Sequence, residues 1–350
     1  MSDRKLRCGV IGVGRMGRHH ARVYAQLPDA ELVGVVDINP EARQTITEQW
    51  GGRGYENLEQ LLDAGVDAVS IATPTIHHWS AAEPLLAAKV ACLIEKPLAP
   101  DVAQARAIAD AAARSHTVLQ VGHIVRYDPV MVAIRQLAGV CPRFIEMDRI
   151  SPMTFRSVDV GVVLDMMIHD LDLLLMLVGC EPMDVQASAV SVLGEAEDVC
   201  NARLTFPRNG EPGHAAPVEM GCVANVTASR LALKTERKIR IISEESYISA
   251  DFVARSGTVV RKTANAEQLA RMRTRLKAGE DLSDVDYRSL VQSEPLQVGT
   301  GEPLKLQIED FLAAVRSGRR PTVDAQAGFA AVRTAERIVA AARKAGAKMV

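Results

Sequence analysis

The fold class this sequence predicts is an α/β plus α+β pair: a Rossmann-type, doubly wound parallel sheet at the N-terminus, then an open-faced, mainly antiparallel sheet domain. Two observations predict it. Strand-like and helix-like segments alternate through the first third of the chain. From about residue 140, strand-like segments follow one another with one long helix among them. Alternation implies parallel strands with helical crossovers, and uninterrupted strands imply antiparallel neighbours. At 350 residues the chain is long for one domain and suits two.

The first strand is the apolar run 6–13, broken only by Arg7. It meets Gly12, Gly14 and Gly17, and residues 15–27 then turn polar and helix-prone. Strand, G-x-G-x-x-G and helix in that order form the phosphate-cradling turn of a dinucleotide-binding unit. Gly12 makes the tight turn, Gly14 admits a pyrophosphate close to the backbone, and Gly17 lets helix and strand pack closely. The helix N-terminus adds free N–H groups and partial positive charge. A second apolar run, 31–36, ends in Asp37, about 20 residues past the last glycine, where such units keep an acid for the ribose hydroxyls. An acid there repels a 2′-phosphate, so NAD is favoured over NADP, although Arg43 is near enough to swing over the adenine or a phosphate. The bland alternative makes the glycines a plain loop and Asp37 a strand-end turn residue.

Further along, residues 68–71, 90–94 and 118–121 read as strands, with helices at 78–88 and, N-capped by Asp101, to 115. In the second half the expected strands are 143–150, 184–193, 199–206, 218–230, 238–243, 247–252 and 258–262, with one long helix over 159–178. Residues 264–293 read as a charged, helix-prone excursion or lid. Helices over 304–317 and 325–344, the latter capped by Asp324, close the chain. The expected division is 1–124 for the cofactor, 125–321 for substrate and subunit contacts, and 322–350 packing back on the first domain.

Composition narrows the partners. A net charge of −2 with both signs interspersed leaves no electrostatic footprint for nucleic acid or an anionic membrane. The cysteines Cys8, Cys92, Cys141, Cys180, Cys200 and Cys222 are scattered without zinc spacing, as in a reducing cytosol. The charged N-terminus is no signal peptide, and the longest late apolar stretch, 171–178, falls far short of a membrane span. A soluble cytoplasmic protein is expected.

Four clusters could carry chemistry. Ala72-Thr73-Pro74 with His77 and His78 ends a parallel strand, where ligands bind in such sheets; an ordinary turn would read the same. Glu95-Lys96-Pro97 ends another strand, and its lysine could polarise a hydroxyl while the glutamate holds the ammonium; a surface salt bridge is the default. Gly122-His123 with Arg126 and Tyr127 suits an anionic or sugar-like ligand, or a linking turn. The apolar helix 159–178 carries Asp165, His169 and Asp172 on one face, with Asp170 beside them. Unpaired buried carboxylates are costly, so this stripe is either satisfied or functional. Asp165 could orient His169 and raise its basicity, as a general base requires. A three-ligand metal site is the rival reading, ranked lower because no matched further ligands appear.

In this order, Gly12-x-Gly14-x-x-Gly17, Asp37, Ala72-Thr73-Pro74, Glu95-Lys96-Pro97, Gly122-His123 and Asp165-x-x-x-His169 resemble the glucose-fructose oxidoreductase / inositol dehydrogenase / MocA family over nearly the whole chain. Where many members carry a glycine inside the last motif, this chain has Met166-Met167-Ile168. The resemblance implies an NAD-dependent dehydrogenase with Lys96, Asp165 and His169 as catalytic group. It implies cofactor contacts from Gly12, Val13, Gly14, Arg15, Met16, Asp37, Ile38, Ala72, Thr73, Pro74, His77, Glu95, Lys96 and His123. Arg126, Tyr127 and Arg156 join Lys96, Asp165 and His169 as substrate candidates. No metal is implied, and the exposed second sheet often builds homodimers or homotetramers. The finer pattern looks most like members acting on UDP-N-acetylhexosamines; an inositol or free-aldose substrate, or a catalytically silent NAD sensor, are the alternatives.

Overall fold

The computed structural model describes residues 4–154, 160–207, 220–283 and 285–347. Its first half lays down β1 (Leu6–Ile11), α1 (Gly17–Gln26), β2 (Ala30–Val36), α2 (Pro40–Trp50), β3 (Arg53–Tyr55) and α3 (Leu58–Asp63). β4 (Ala68–Ile71), α4 (His78–Ala87), β5 (Ala91–Glu95), α5 (Val102–Ser115) and β6 (Leu119–Gly122) follow. The strands pair in the order β3-β2-β1-β4-β5-β6, all parallel. Chain order reverses between β1 and β4, so a crevice opens there at the strands' carboxyl ends. β5 is buried along its length because helices cover both faces. The short elements β3 and α2 and α3 escape sequence reading; Asn39 caps α2 ahead of Pro40, and Asn57 caps α3.

After α6 (Pro129–Gln136) comes β7 (Phe144–Ile150), then a π-turn at Val163–Met167 that leads into α7 (Ile168–Val178). The expected helix start at Asp159 lies outside the described residues. β8 (Asp184–Val190), β9 (Val199–Pro207), β10 (Met220–Ser229), β11 (Glu236–Ile242), β12 (Ser246–Asp251) and β13 (Ser256–Lys262) continue the chain. It ends with α8 (Ala266–Lys277), β14 (Val291–Pro295), α9 (Pro303–Ser317) and α10 (Ala325–Lys344). The eight strands run β14-β13-β12-β11-β7-β10-β9-β8, antiparallel except for β7 with β10. Burial alternates along β7 and β9, the mark of a sheet covered on one side. β14 and α8 occupy the stretch expected to be a lid.

α7 supplies Leu171, Leu173 and Leu174 to the second sheet's core. Leu304, Ile308, Phe311 and Leu312 of α9 pack instead with α1 and β1 residues of the first. α10 belongs to both: Phe329, Ala331 and Val332 join the first sheet's core, Ala335 and Ile338 the second's. Among the described residues, no helix is long and apolar enough to cross a membrane.

Candidate active site

A lysine from the first sheet reaches across to the π-turn of the second body. β5 ends at Glu95, and the Lys96–Pro97 peptide that follows is cis. Lys96 Nζ donates to the Asp165 backbone carbonyl at 2.7 Å and to its carboxylate Oδ1 at 3.3 Å. Both partners remain partly open to solvent. Asp165 lies inside the π-turn, a local winding that recurs at functional sites.

His169 stands at the head of α7, one turn further on. Its Nδ1 is buried without a hydrogen-bond partner among the described residues. Burial first, then the positive fields of Lys96 and Arg149, hold its pKa well below the ordinary 6.5. The ring is therefore neutral at physiological pH, with a lone pair available. This corrects the expected role of Asp165: its carboxylate faces Lys96 and does not orient the imidazole. Glu95 is also reassigned. Its Oε1 meets His20 Nε2 at 2.9 Å, and its Oε2 accepts the Lys96 backbone N–H at 3.3 Å, so Asp165 and not Glu95 holds the ammonium.

His20 is the residue that sequence reading missed. It is fully buried in α1, directly behind the glycine turn, and its Nδ1 meets Ser70 Oγ at 2.9 Å, which also bonds the Tyr24 hydroxyl at 2.8 Å. A polar chain thus ties the phosphate-turn helix to the strand end that carries Lys96. His123, at the end of β6, is buried with both ring nitrogens unpartnered among the described residues. Burial lowers its pKa, so it too is neutral. Buried polar atoms without partners call for a ligand or ordered water.

The residues at the crevice fit a dinucleotide. Gly12 adopts φ +81°, which only glycine takes readily. A Cβ on Gly17 would stand 1.8 Å from the Gly12 carbonyl oxygen, whereas one on Gly14 would meet nothing within 4 Å, leaving open space above the turn. α1 has no side-chain cap, although α2 and α5 are capped by Asn39 and Asp101; the Arg18 and His19 N–H groups turn back to the Gly14 and Met16 carbonyls, so it is the N–H groups of the turn ahead of them that face an anion. Arg15 is exposed beside Met16 there. Asp37 accepts the Val13 N–H at 2.8 Å and the Asn39 N–H at 2.9 Å, which fixes its carboxylate at the end of β2. Arg43 donates to the Asp37 carbonyl at 2.6 Å and faces Glu56, so it is committed within the protein. Ile38 and Ile76 are 96% and 68% exposed at the ends of the two strands flanking β1, apolar surface suited to a flat base. Ala72 and Thr73 lie half-buried at the end of β4 with Thr73 Oγ1 unpartnered, Pro74 and His77 are exposed, and His78 is a structural residue between the Thr73 and Leu98 carbonyls.

Two substrate candidates are committed elsewhere. Arg126 is buried, grips both Asp172 oxygens at 2.7 and 2.6 Å, and donates to the Thr322 carbonyl. Tyr127 donates to Asp310 at 2.7 Å. Both therefore fasten the linking turn to α7 and α9. Asp172 consequently turns away from His169, and Asp170 pairs with Arg149 at 2.8 and 2.6 Å. Arg156 lies outside the described residues.

Comparison with known proteins agrees with this geometry. Residues 6–123 match the model of an oxidoreductase family with an NAD-binding Rossmann fold, and residues 142–249 match that of the GFO/IDH/MocA C-terminal domain. The UDP-N-acetylglucosamine 3-dehydrogenase of Acidithiobacillus ferrooxidans is 36% identical over 323 residues, 92% of this chain and 93% of its own length. A solved structure of UDP-N-acetylglucosamine 3-dehydrogenase GnnA from that organism aligns with a TM-score of 0.83 at 34% identity, covering 97% of this chain and 98% of that one. The WlbA dehydrogenase from Bordetella pertussis, solved with NADH and UDP-GlcNAcA, shares the fold at a TM-score of 0.77 and 21% identity, over 99% of this chain and 97% of its own.

Proposed function

The chain belongs to the GFO/IDH/MocA family of NAD-binding oxidoreductases and acts on CH–OH groups, and from that premise we propose that it oxidises a ring secondary hydroxyl of a UDP-N-acetylhexosamine to a keto sugar. The observation that carries this reading is the Lys96 ammonium, held by Asp165 within the electrostatic reach of a neutral His169. A hydroxyl placed between them gives its proton to the free imidazole nitrogen of His169. Lys96 donates to the same oxygen and stabilises the negative charge that develops. Asp165 keeps that donor in place beforehand, so little reorganisation is needed during reaction. Bound NAD supplies the hydride acceptor.

Gly12, Gly14 and the uncapped start of α1 would cradle the pyrophosphate, with Asp37 at a ribose and His123 and Thr73 towards the nicotinamide end. Within this reading residues 1–124 hold the cofactor, 125–321 carry substrate and subunit contacts, and 322–350 tie back to the first body; by packing, α9 is grouped with that body too. We assign a homodimer or homotetramer contact to the uncovered face of the second sheet. Unpaired cysteines support a cytoplasmic setting.

NADH formation with UDP-N-acetylhexosamines, free sugars and inositols tests the reading, with a coupled aminotransferase to draw off product. His169→Gln and Lys96→Met should each lower kcat by about 10²–10⁴ while NADH still binds. Near-normal turnover in either variant removes its assigned role. Activity on an inositol but on no nucleotide sugar overturns the substrate and leaves the reaction class.

A further inference from the structure

An arginine on the second sheet stands beside the catalytic helix without a side-chain hydrogen bond or ion pair among the described residues. β7 and β11 pair so that Ile145, Met147 and Arg149 lie opposite Ile241, Ile239 and Arg237. Directly opposed residues share a face, and the four apolar members of these two rows are buried in the core under α7. Arg149 and Arg237 thus end two core-facing rows together, on the side of the sheet where α7 lies. Arg149 is buried and spends its guanidinium on Asp170, the neighbour of His169. Arg237 stays solvent-accessible, and no side-chain hydrogen bond or ion pair engages it among the described residues. Asp128 feels its field, but that carboxylate accepts the Val130 N–H as the cap of α6. Arg237 adds, after Lys96 and Arg149, to the positive field that lowers the His169 pKa below its ordinary value, burial being the largest cause.

The geometry points to Arg237 as the binding group for the diphosphate of the substrate, taking the place that sequence reading gave to Arg126 and Tyr127. This rests on the nucleotide-sugar reading above. A planar guanidinium offers two parallel donors to phosphate oxygens, and with Arg149 already saturated, Arg237 is the member of the pair left to receive an anion. The doubly charged bridge then lies on the sheet side of His169, and the hexose extends towards Lys96. An anion there also relieves part of the positive field that burdens the imidazole, so binding favours proton uptake by His169.

Calorimetric titration of the NADH-saturated enzyme with UDP and with inorganic pyrophosphate tests the assignment, since the cofactor's own phosphate site is then filled. Arg237→Gln should weaken UDP binding about 10- to 100-fold, the range for loss of a charge-assisted pair. Arg237→Lys should fall between the two, and NADH affinity and thermal midpoint should stay unchanged. With UDP-N-acetylglucosamine, the loss should appear in KM far more than in kcat. If the wild-type enzyme oxidises the nucleotide sugar and Arg237→Gln binds UDP normally, the assignment of Arg237 fails alone. If the wild-type enzyme ignores nucleotide sugars but binds pyrophosphate and a hexose phosphate through Arg237, the nucleotide reading fails and the anion site stands. If it binds none of these anions, both fail.

Discussion

Replacing Arg126 with methionine separates a structural cation from a substrate-binding one. The Arg126 and Asp172 side chains are 8% and 1% exposed, and two hydrogen bonds of 2.7 and 2.6 Å join them. Arg126→Met keeps much of the apolar stem but leaves the Asp172 carboxylate buried without a counter-ion, and it strips a donor from the Thr322 carbonyl. Breaking a buried pair from one side costs about 3–5 kcal/mol. Urea denaturation followed by circular dichroism should therefore show a large drop in midpoint. The double variant Arg126→Met, Asp172→Leu should recover most of it, because no uncompensated charge remains. KM for the sugar substrate should change little in whatever folded protein survives, since neither group faces the crevice. An unchanged urea midpoint together with a raised KM would show that the guanidinium serves the ligand, and the structural assignment would be wrong.

The glycine turn offers a contrast between two methyl groups. Gly17→Ala presses a Cβ to 1.8 Å from the Gly12 carbonyl oxygen and should cost about 1–3 kcal/mol or more of stability, seen as a lower thermal midpoint. Gly14→Ala meets no protein atom within 4 Å and should leave that midpoint in place, yet weaken NADH binding measured by fluorescence; unchanged NADH affinity would mean the pyrophosphate does not approach there. Acid should destabilise the fold through His78, His123 and His169, whose pKa values burial depresses below 6.5. The unfolded chain takes up these protons near that value while the folded protein refuses them, so stability is full above it and falls as pH drops below, by up to about 1.4 kcal/mol per pH unit for each ring. A thermal midpoint that stays flat from pH 7 to about pH 5 would contradict that burial.

Local signals in the chain were the reliable ones. The glycine turn, Asp37 and the strand-helix alternation depend on neighbours in sequence and appear where expected. The family resemblance grouped Lys96, Asp165 and His169, but which carboxylate holds the ammonium was not legible: the adjacent Glu95 was expected there, and Asp165, 69 residues on, holds it. Partner choice was not. Arg126 looked free for a ligand because Asp172 and Thr322 lie 46 and 196 residues away, and Tyr127 because Asp310 is 183 away. His20 looked like one polar residue in a polar helix until Glu95, 75 positions on, came within hydrogen-bond reach. Arg237 was hidden in a strongly charged strand, where only register against β7 distinguishes it from Lys238, which points to the opposite face.

α10 lends its first turns to one body and its middle to the other, with the same continuous rod touching α5, α7 and β8. Rotation of either body about the crevice must therefore drag that rod through close-packed side chains, which resist sliding far more than a flexible linker would. The separation between nucleotide turn and imidazole is then a built dimension of the molecule, gauged by the bulk of Phe329, Val332 and Ile338 on a helix that touches neither ligand.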